Sequence, residues 1–261
     1  MPVMTRTAAP PSALIVAHGQ PSDPAPAAAE IAFLAAKVQA LMPDWHVRSA
    51  TLAEPDAVAQ SVGMTRTGLV YPLFMAGGWF TRTHLPERLA AAGAGNWRIL
   101  APFGIDPAVR HLARTVARET AVRIGNRPQD MCLLVAAHGS FRSPAPAAVA
   151  NDVATQLRGD GFGRVEVAFI DQSPRIADVA AGLPPGTVVL PFFAARGGHV
   201  TEDLPQALGQ AGFQGHVLPP LGLDPRVPGL IRSALRRGQA ASSMADAVTS
   251  ASRVACHTEG T

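Results

Sequence analysis

Short apolar runs alternate along this chain with stretches whose apolar positions recur at helical spacing, from about residue 14 to residue 237. Leu14–Ala17 predicts a first strand. Ile31, Leu34, Val38 and Leu41 share one face of a helix predicted over Ala27–Leu41. Trp45–Thr51, Gly68–Pro72 and Trp97–Leu100 predict further strands, and Thr83–Ala92 a helix with Pro86 in its first turn. Asp106-Pro107 opens a long helix with Asp as N-cap and Pro at the first helical position. The strands are apolar throughout rather than alternating, as expected of a parallel sheet covered by helices on both faces.

The same order then returns. Strands are predicted over Cys132–Ala136, Arg164–Ile170, Thr187–Leu190 and His216–Leu218; helices over Pro146–Arg158, Arg175–Ala181, Thr201–Gln210 and Asp224–Arg237. Ala17-His18-Gly19 repeats as Ala137-His138-Gly139, Pro72-Leu73-Phe74 as Pro191-Phe192-Phe193, and Pro102-Phe103-Gly104-Ile105-Asp106-Pro107 as Pro220-Leu221-Gly222-Leu223-Asp224-Pro225. Offsets of 120, 119 and 118 leave the copies almost gapless. The reading is an α/β protein of two tandem doubly wound, flavodoxin-like parallel-sheet units: residues 1–126, residues 127–238, and a flexible tail over 239–261.

Composition narrows the partners. Hydrophobic residues make up 48% and charged residues 16% of the 261, with a net charge of +3. That is a globular composition without a basic run or aromatic interleaving, so no nucleic acid is expected. No leader-type apolar stretch occupies Met1–Ser12 and no run reaches membrane-spanning length, so a cytoplasmic protein with no membrane partner is expected. Cys132 is read as a small buried hydrophobe; with Cys256 in the tail it makes neither a disulfide framework nor a metal spacing. Neither a P-loop nor a Gly-x-Gly-x-x-Gly occurs, so no nucleotide is expected. A flavodoxin-like redox domain would need a Ser/Thr-rich phosphate cradle where the Ala-His-Gly loops stand.

Ligands of open α/β sheets bind beyond the carboxyl ends of the strands. His138 follows the first strand of the second copy, Asp171 ends its second strand, and His199 follows its third. The first copy keeps only His18: Phe80 stands opposite His199, Trp79 opposite Gly198, His84 opposite Asp203 and Leu52 opposite Asp171. The full set of three titratable groups is therefore found in residues 127–238 alone, with His84 a capping or solvated residue.

Val135-Ala136-Ala137-His138-Gly139-Ser140, Val167-Ala168-Phe169-Ile170-Asp171 and Leu190-Pro191-Phe192-Phe193 leading to Gly198-His199-Val200-Thr201-Glu202-Asp203-Leu204-Pro205 resemble the class II tetrapyrrole chelatases. Within these the likeness is to the sirohydrochlorin chelatase group called CbiX or SirB, with ferrochelatase more distant. The resemblance spans residues 13–237. It implies insertion of Co²⁺ or Fe²⁺ into sirohydrochlorin or a close relative, in cobalamin or siroheme biosynthesis, with no cofactor beyond the metal substrate, by a monomer or homodimer. It implies His138, His199 and Asp171 as metal ligands and catalytic groups; the family usually has Glu where Asp171 stands.

Neutral imidazole binds first-row divalent ions and accepts protons near neutral pH, and a carboxylate can serve as auxiliary ligand or base. Ser140, Arg142 and Arg196 are candidates for the ring carboxylates and Phe193 for its face. Glu202 is a candidate orienter of His199 or a substrate contact. The alternative function is a non-catalytic tetrapyrrole- or metal-binding protein descended from a chelatase.

Overall fold

The computed structural model describes residues 9–258, with side chains through Met244. The first copy runs β1 (Ser12–Ala17), α1 (Pro24–Ala40), β2 (His46–Thr51), α2 (Ala57–Val62) and β3 (Leu69–Pro72). A π-helical turn (Phe80–His84) then leads directly into α3 (Leu85–Ala91), followed by β4 (Arg98–Ile99) and α4 (Pro107–Arg123). The second copy repeats this as β5 (Cys132–Ala137), α5 (Ala145–Gly159), β6 (Arg164–Phe169), α6 (Ile176–Ala181) and β7 (Val188–Pro191). Its own π-helical turn (His199–Asp203) leads into α7 (Leu204–Gln210), then β8 (His216–Val217) and α8 (Val227–Thr258).

Each copy forms a four-stranded, all-parallel sheet, in the order β2-β1-β3-β4 and β6-β5-β7-β8. Alternation along a strand decides which layer each side chain enters. From β5, Leu133, Val135 and Ala137 point into one cluster, while Leu134 and Ala136 join α6 and α7 in another. From β1, Ala13, Ile15 and Ala17 enter that same first cluster, and Leu14 and Val16 pack against α2 and α3. The first cluster is common to both sheets and is filled by α1, α4, α5 and α8. The two copies thus share an inner core, and each keeps a small outer one. A fully buried Leu or Val in any of these layers contributes about 1.5–3 kcal/mol.

Three expectations need correction. The first copy contains α2, which its own weak periodicity hides; its twin α6 was legible and marks the place. Residues 239–261 were expected to be a flexible tail, yet α8 continues unbroken from Val227 to Thr258. Arg98 of the first copy donates to the Gly238 carbonyl (3.3 Å) and to Ser242 Oγ (3.2 Å), tying this extension down. Cys132, at the start of β5, is only partly buried and is a free thiol. The side chain of Cys256 lies outside the described residues.

Candidate metal centre

In the order β6-β5-β7-β8 the chain leaves β5 to one side and returns by β7 on the other, so β5 and β7 flank the point where the winding reverses. Crevices open there. His138 follows β5 immediately and His199 opens the turn after β7, which brings the two imidazoles together from 61 residues apart. Their Nε2 atoms are 2.7 Å apart, with rings perpendicular at an 89° interplanar angle.

The partners of the other ring nitrogens make this contact informative. His199 Nδ1 lies 2.7 Å from Asp203 Oδ2, and His138 Nδ1 lies 2.7 Å from the Gly139 carbonyl. Both oxygens are acceptors, so each Nδ1 carries its hydrogen. Two neutral rings would then point two Nε2 lone pairs at each other. The arrangement is satisfied by one proton shared between the nitrogens or by a metal ion bound to both.

Backbone geometry holds the loops. Gly139 has φ +74°, and a Cβ there would come within 2.6 Å of Gln172 Cγ and 2.9 Å of Phe169 Cβ, so only glycine fits. Gln172 Oε1 accepts from Ser140 N (2.8 Å), and Asp171 N donates to the His138 carbonyl (2.9 Å). The turn carrying His199 is π-helical, an insertion that recurs at functional sites. It places Asp203 four residues on, on the same side as His199.

The expected residues separate into those the fold gathers and those it does not. Asp171 does not complete a three-donor set: its Oδ2 is 3.5 Å from His138 Nδ1, the nitrogen that takes no part in the Nε2 pair. Among the described residues no group of three His, Cys, Asp or Glu side chains forms a metal cage. The orienting role considered for Glu202 belongs to Asp203; Glu202 is exposed and lines the cleft. Phe193 is 7% exposed and not on the cleft wall, because the extended strand end turns it into the protein. Ser140 Oγ accepts from Arg142 N (3.1 Å) within its own loop, and the Arg142 side chain is exposed. Arg196 lines the cleft. Asp203 and Gln172 were missed, although the His-x-x-x-Asp spacing was the available signal for Asp203.

The first copy shows what replaced the pair. His18 and Phe80 pack at a tilt with centroids 4.3 Å apart, close to the 4.1 Å of His138 and His199. His84, opposite Asp203, stacks on Trp79 at 4.8 Å. Burial of the His18 ring lowers its pKa, helped by the charges of His138 and His84. Between the copies lies a cleft of about 1110 Å³. Its walls are the loop carrying His18, one face of α1, and residues 194–199 and 201–203 of the second copy.

Two wound parallel sheets facing a common cleft, with paired imidazoles at the switch point of one, define a two-lobed α/β protein with a candidate site at that pair. The CbiX family model matches residues 132–238. A solved CbiX, described as the terminal enzyme for biosynthesis of siroheme in denitrifying bacteria, is 48% identical. It covers 87% of this chain and 98% of that one, with a TM-score of 0.81. SirB from Bacillus subtilis with Fe³⁺ shares the fold at 18% identity, covering 89% of this chain and 96% of that one, TM-score 0.71. A probable sirohydrochlorin cobaltochelatase of Halobacterium salinarum is 26% identical over 161 residues, 52% of this chain and 55% of that protein. The match thus spans about half the length of this curated relative. The chain belongs to the CbiX family. Among the described residues, no helix is long and apolar enough to cross a membrane.

Proposed function

We propose that this protein inserts a divalent first-row ion, Co²⁺ or Fe²⁺, into sirohydrochlorin or a closely related tetrapyrrole in the cytoplasm. The observation that carries this reading is the 2.7 Å approach of the His138 and His199 Nε2 atoms with both Nδ1 hydrogens already committed. Names of relatives support it: one solved relative is a siroheme-biosynthesis enzyme and a curated one a probable cobaltochelatase.

The ion is substrate, held in transit. With metal–nitrogen bonds of about 2.0–2.1 Å, two ligands at a right angle stand about 2.9 Å apart and two tetrahedral ligands about 3.4 Å. The observed spacing is nearer the first, which suits an octahedral aquo ion keeping exchangeable positions for ring nitrogens. Capture displaces the shared proton and some metal waters. Transfer to the ring reverses this: as the ion leaves, the Nε2 pair takes back one of the two pyrrole protons. The second departs to solvent. The balance is one ion and a free-base ring in, a metallated ring and two protons out. Arg196 and Arg142 are the donors for ring carboxylates from this copy.

Absorbance-monitored insertion of Co²⁺ and Fe²⁺ into sirohydrochlorin tests the assignment. Acceleration over the spontaneous rate, lost in His138→Ala and His199→Ala, is expected. Ring binding without acceleration would instead establish a non-catalytic tetrapyrrole binder. Calorimetry in buffers of different ionisation enthalpy should show about one proton released per Co²⁺ bound.

A further inference from the structure

Lys37 is the only lysine among the 22 Lys and Arg residues of the chain. It sits on α1 one turn after Phe33, with Nζ 4.3 Å from the centre of the Phe33 ring. Phe33 is 64% exposed, although burying such a side chain is worth about 1.5–3 kcal/mol. The scaffold does not ask for this pair. Matching buried Ile31, Ala35 and Val38 of α1 to Ala150, Ala154 and Leu157 of α5 places Asp152 and Gln156 opposite Phe33 and Lys37. One copy therefore has an ordinary solvated face where the other shows an aromatic ring beneath an ammonium.

Both residues line the cleft, facing the segment that carries Arg196 and His199. Glu30, one turn before Phe33, accepts from Arg196 N at 2.9 Å and fixes α1 against that segment. Two further cleft carboxylates have cationic partners or donors, Asp203 with His199 and Asp224 with Arg226, while Asp23 and Glu202 face the cavity. Among the described residues Lys37 forms no ion pair, so its ammonium is available to an incoming anion.

We infer that Phe33 and Lys37 form a substrate clamp: the Phe33 ring packs against the flat tetrapyrrole and the Lys37 ammonium pairs with one of its peripheral carboxylates. The copy without a metal pair thereby supplies macrocycle recognition. The inference rests on the tetrapyrrole reading above and adds the residues that select a flat polycarboxylate.

Carbodiimide treatment of the full chain with sirohydrochlorin joins an amine to a neighbouring carboxylate as an amide. The expected product is a ring adduct on the peptide containing Lys37. In fluorescence titrations Phe33→Asp and Lys37→Gln should each weaken sirohydrochlorin binding at least tenfold, and Lys37→Arg should recover most of it. Co²⁺ binding at the His138–His199 pair should be unchanged in all three, which also reports correct folding. Wild-type affinity in Phe33→Asp and Lys37→Gln, or adducts only elsewhere, would overturn the clamp while leaving the chelatase reading intact. A changed oligomeric state in Phe33→Asp without loss of ring affinity would make Phe33 a subunit contact and equally end the inference. No ring binding by the wild-type chain would remove the proposed function, and the clamp with it.

Discussion

Asp203 Oδ2 accepts the Nδ1 hydrogen of His199 at 2.7 Å, across the single π-helical turn that separates the two residues. The bond fixes the tautomer that presents an unprotonated Nε2 to an ion. Asp203→Asn keeps the size but exchanges a charged acceptor for a neutral amide. A loss of about 10–100-fold in Co²⁺ affinity is expected, with thermal stability little changed because the carboxylate is part-exposed. Titration followed by the visible spectrum of bound Co²⁺ measures it; unaltered affinity would show that the ring needs no orienting partner.

The duplicated frame allows the missing site to be rebuilt. Phe80 and His84 occupy the places of His199 and Asp203, and His18 already contacts Phe80 as His138 contacts His199. The double substitution F80H/H84D supplies both absent groups. Stoichiometry by equilibrium dialysis should rise from about one Co²⁺ per chain to about two. A value that stays at one would mean the first copy has lost loop geometry as well as ligands.

Gly139 and Gly19 are twins, with φ +74° and +76° and no room for a Cβ. Replacing either by Ala should destabilise the fold by about 2 kcal/mol through left-handed backbone strain and the clash. Their functional consequences should differ. Gly139→Ala displaces His138 and weakens metal binding, whereas Gly19→Ala leaves the metal pair in place. Paired thermal melts and Co²⁺ titrations separate the two effects, and equal metal affinity in both variants would contradict the asymmetry.

Tyr71 is fully buried in β3 and its hydroxyl has no partner among the described residues. Burial, and then the charge of Asp106, hold its pKa well above the usual phenol range, with Arg237 opposing. Asp106 is itself paired with Arg237 at 3.0 Å. The twin position in β7 is Leu190, so the scaffold does not need a polar group here. Tyr71→Phe removes an unsatisfied donor and should stabilise by about 1 kcal/mol, seen as a higher midpoint in chemical denaturation. A loss of similar size would reveal a hydrogen bond made by the hydroxyl in solution.

Much of this is legible in the sequence. Apolar runs such as Leu133–Ala137 report burial on both faces, because a side chain on either side of a covered parallel strand meets a helix. The repeat placed His138 and His199 on loops of one sheet edge, and Phe80 and Leu52 marked the copy without paired histidines. Where local pattern was weak, reading failed. α2 is six residues long, too short for a periodic signal, and the Ala- and Ser-rich extension of α8 has no strong apolar stripe although Arg98 anchors it.

The sequence by itself determined the strand–helix order, the duplication and which copy kept paired histidines, since these follow from local periodicity and from comparing the chain with itself. Only the tertiary structure decided the division of labour around them. Asp171 approaches His138 at Nδ1 rather than at the paired Nε2 atoms, Asp203 rather than Glu202 hydrogen-bonds His199, and α1 of the first copy walls the cleft that His199 lines from the second copy. Those facts depend on the direction in which each side chain leaves its backbone and on how two halves pack about a shared core, and neither is encoded in residue spacing.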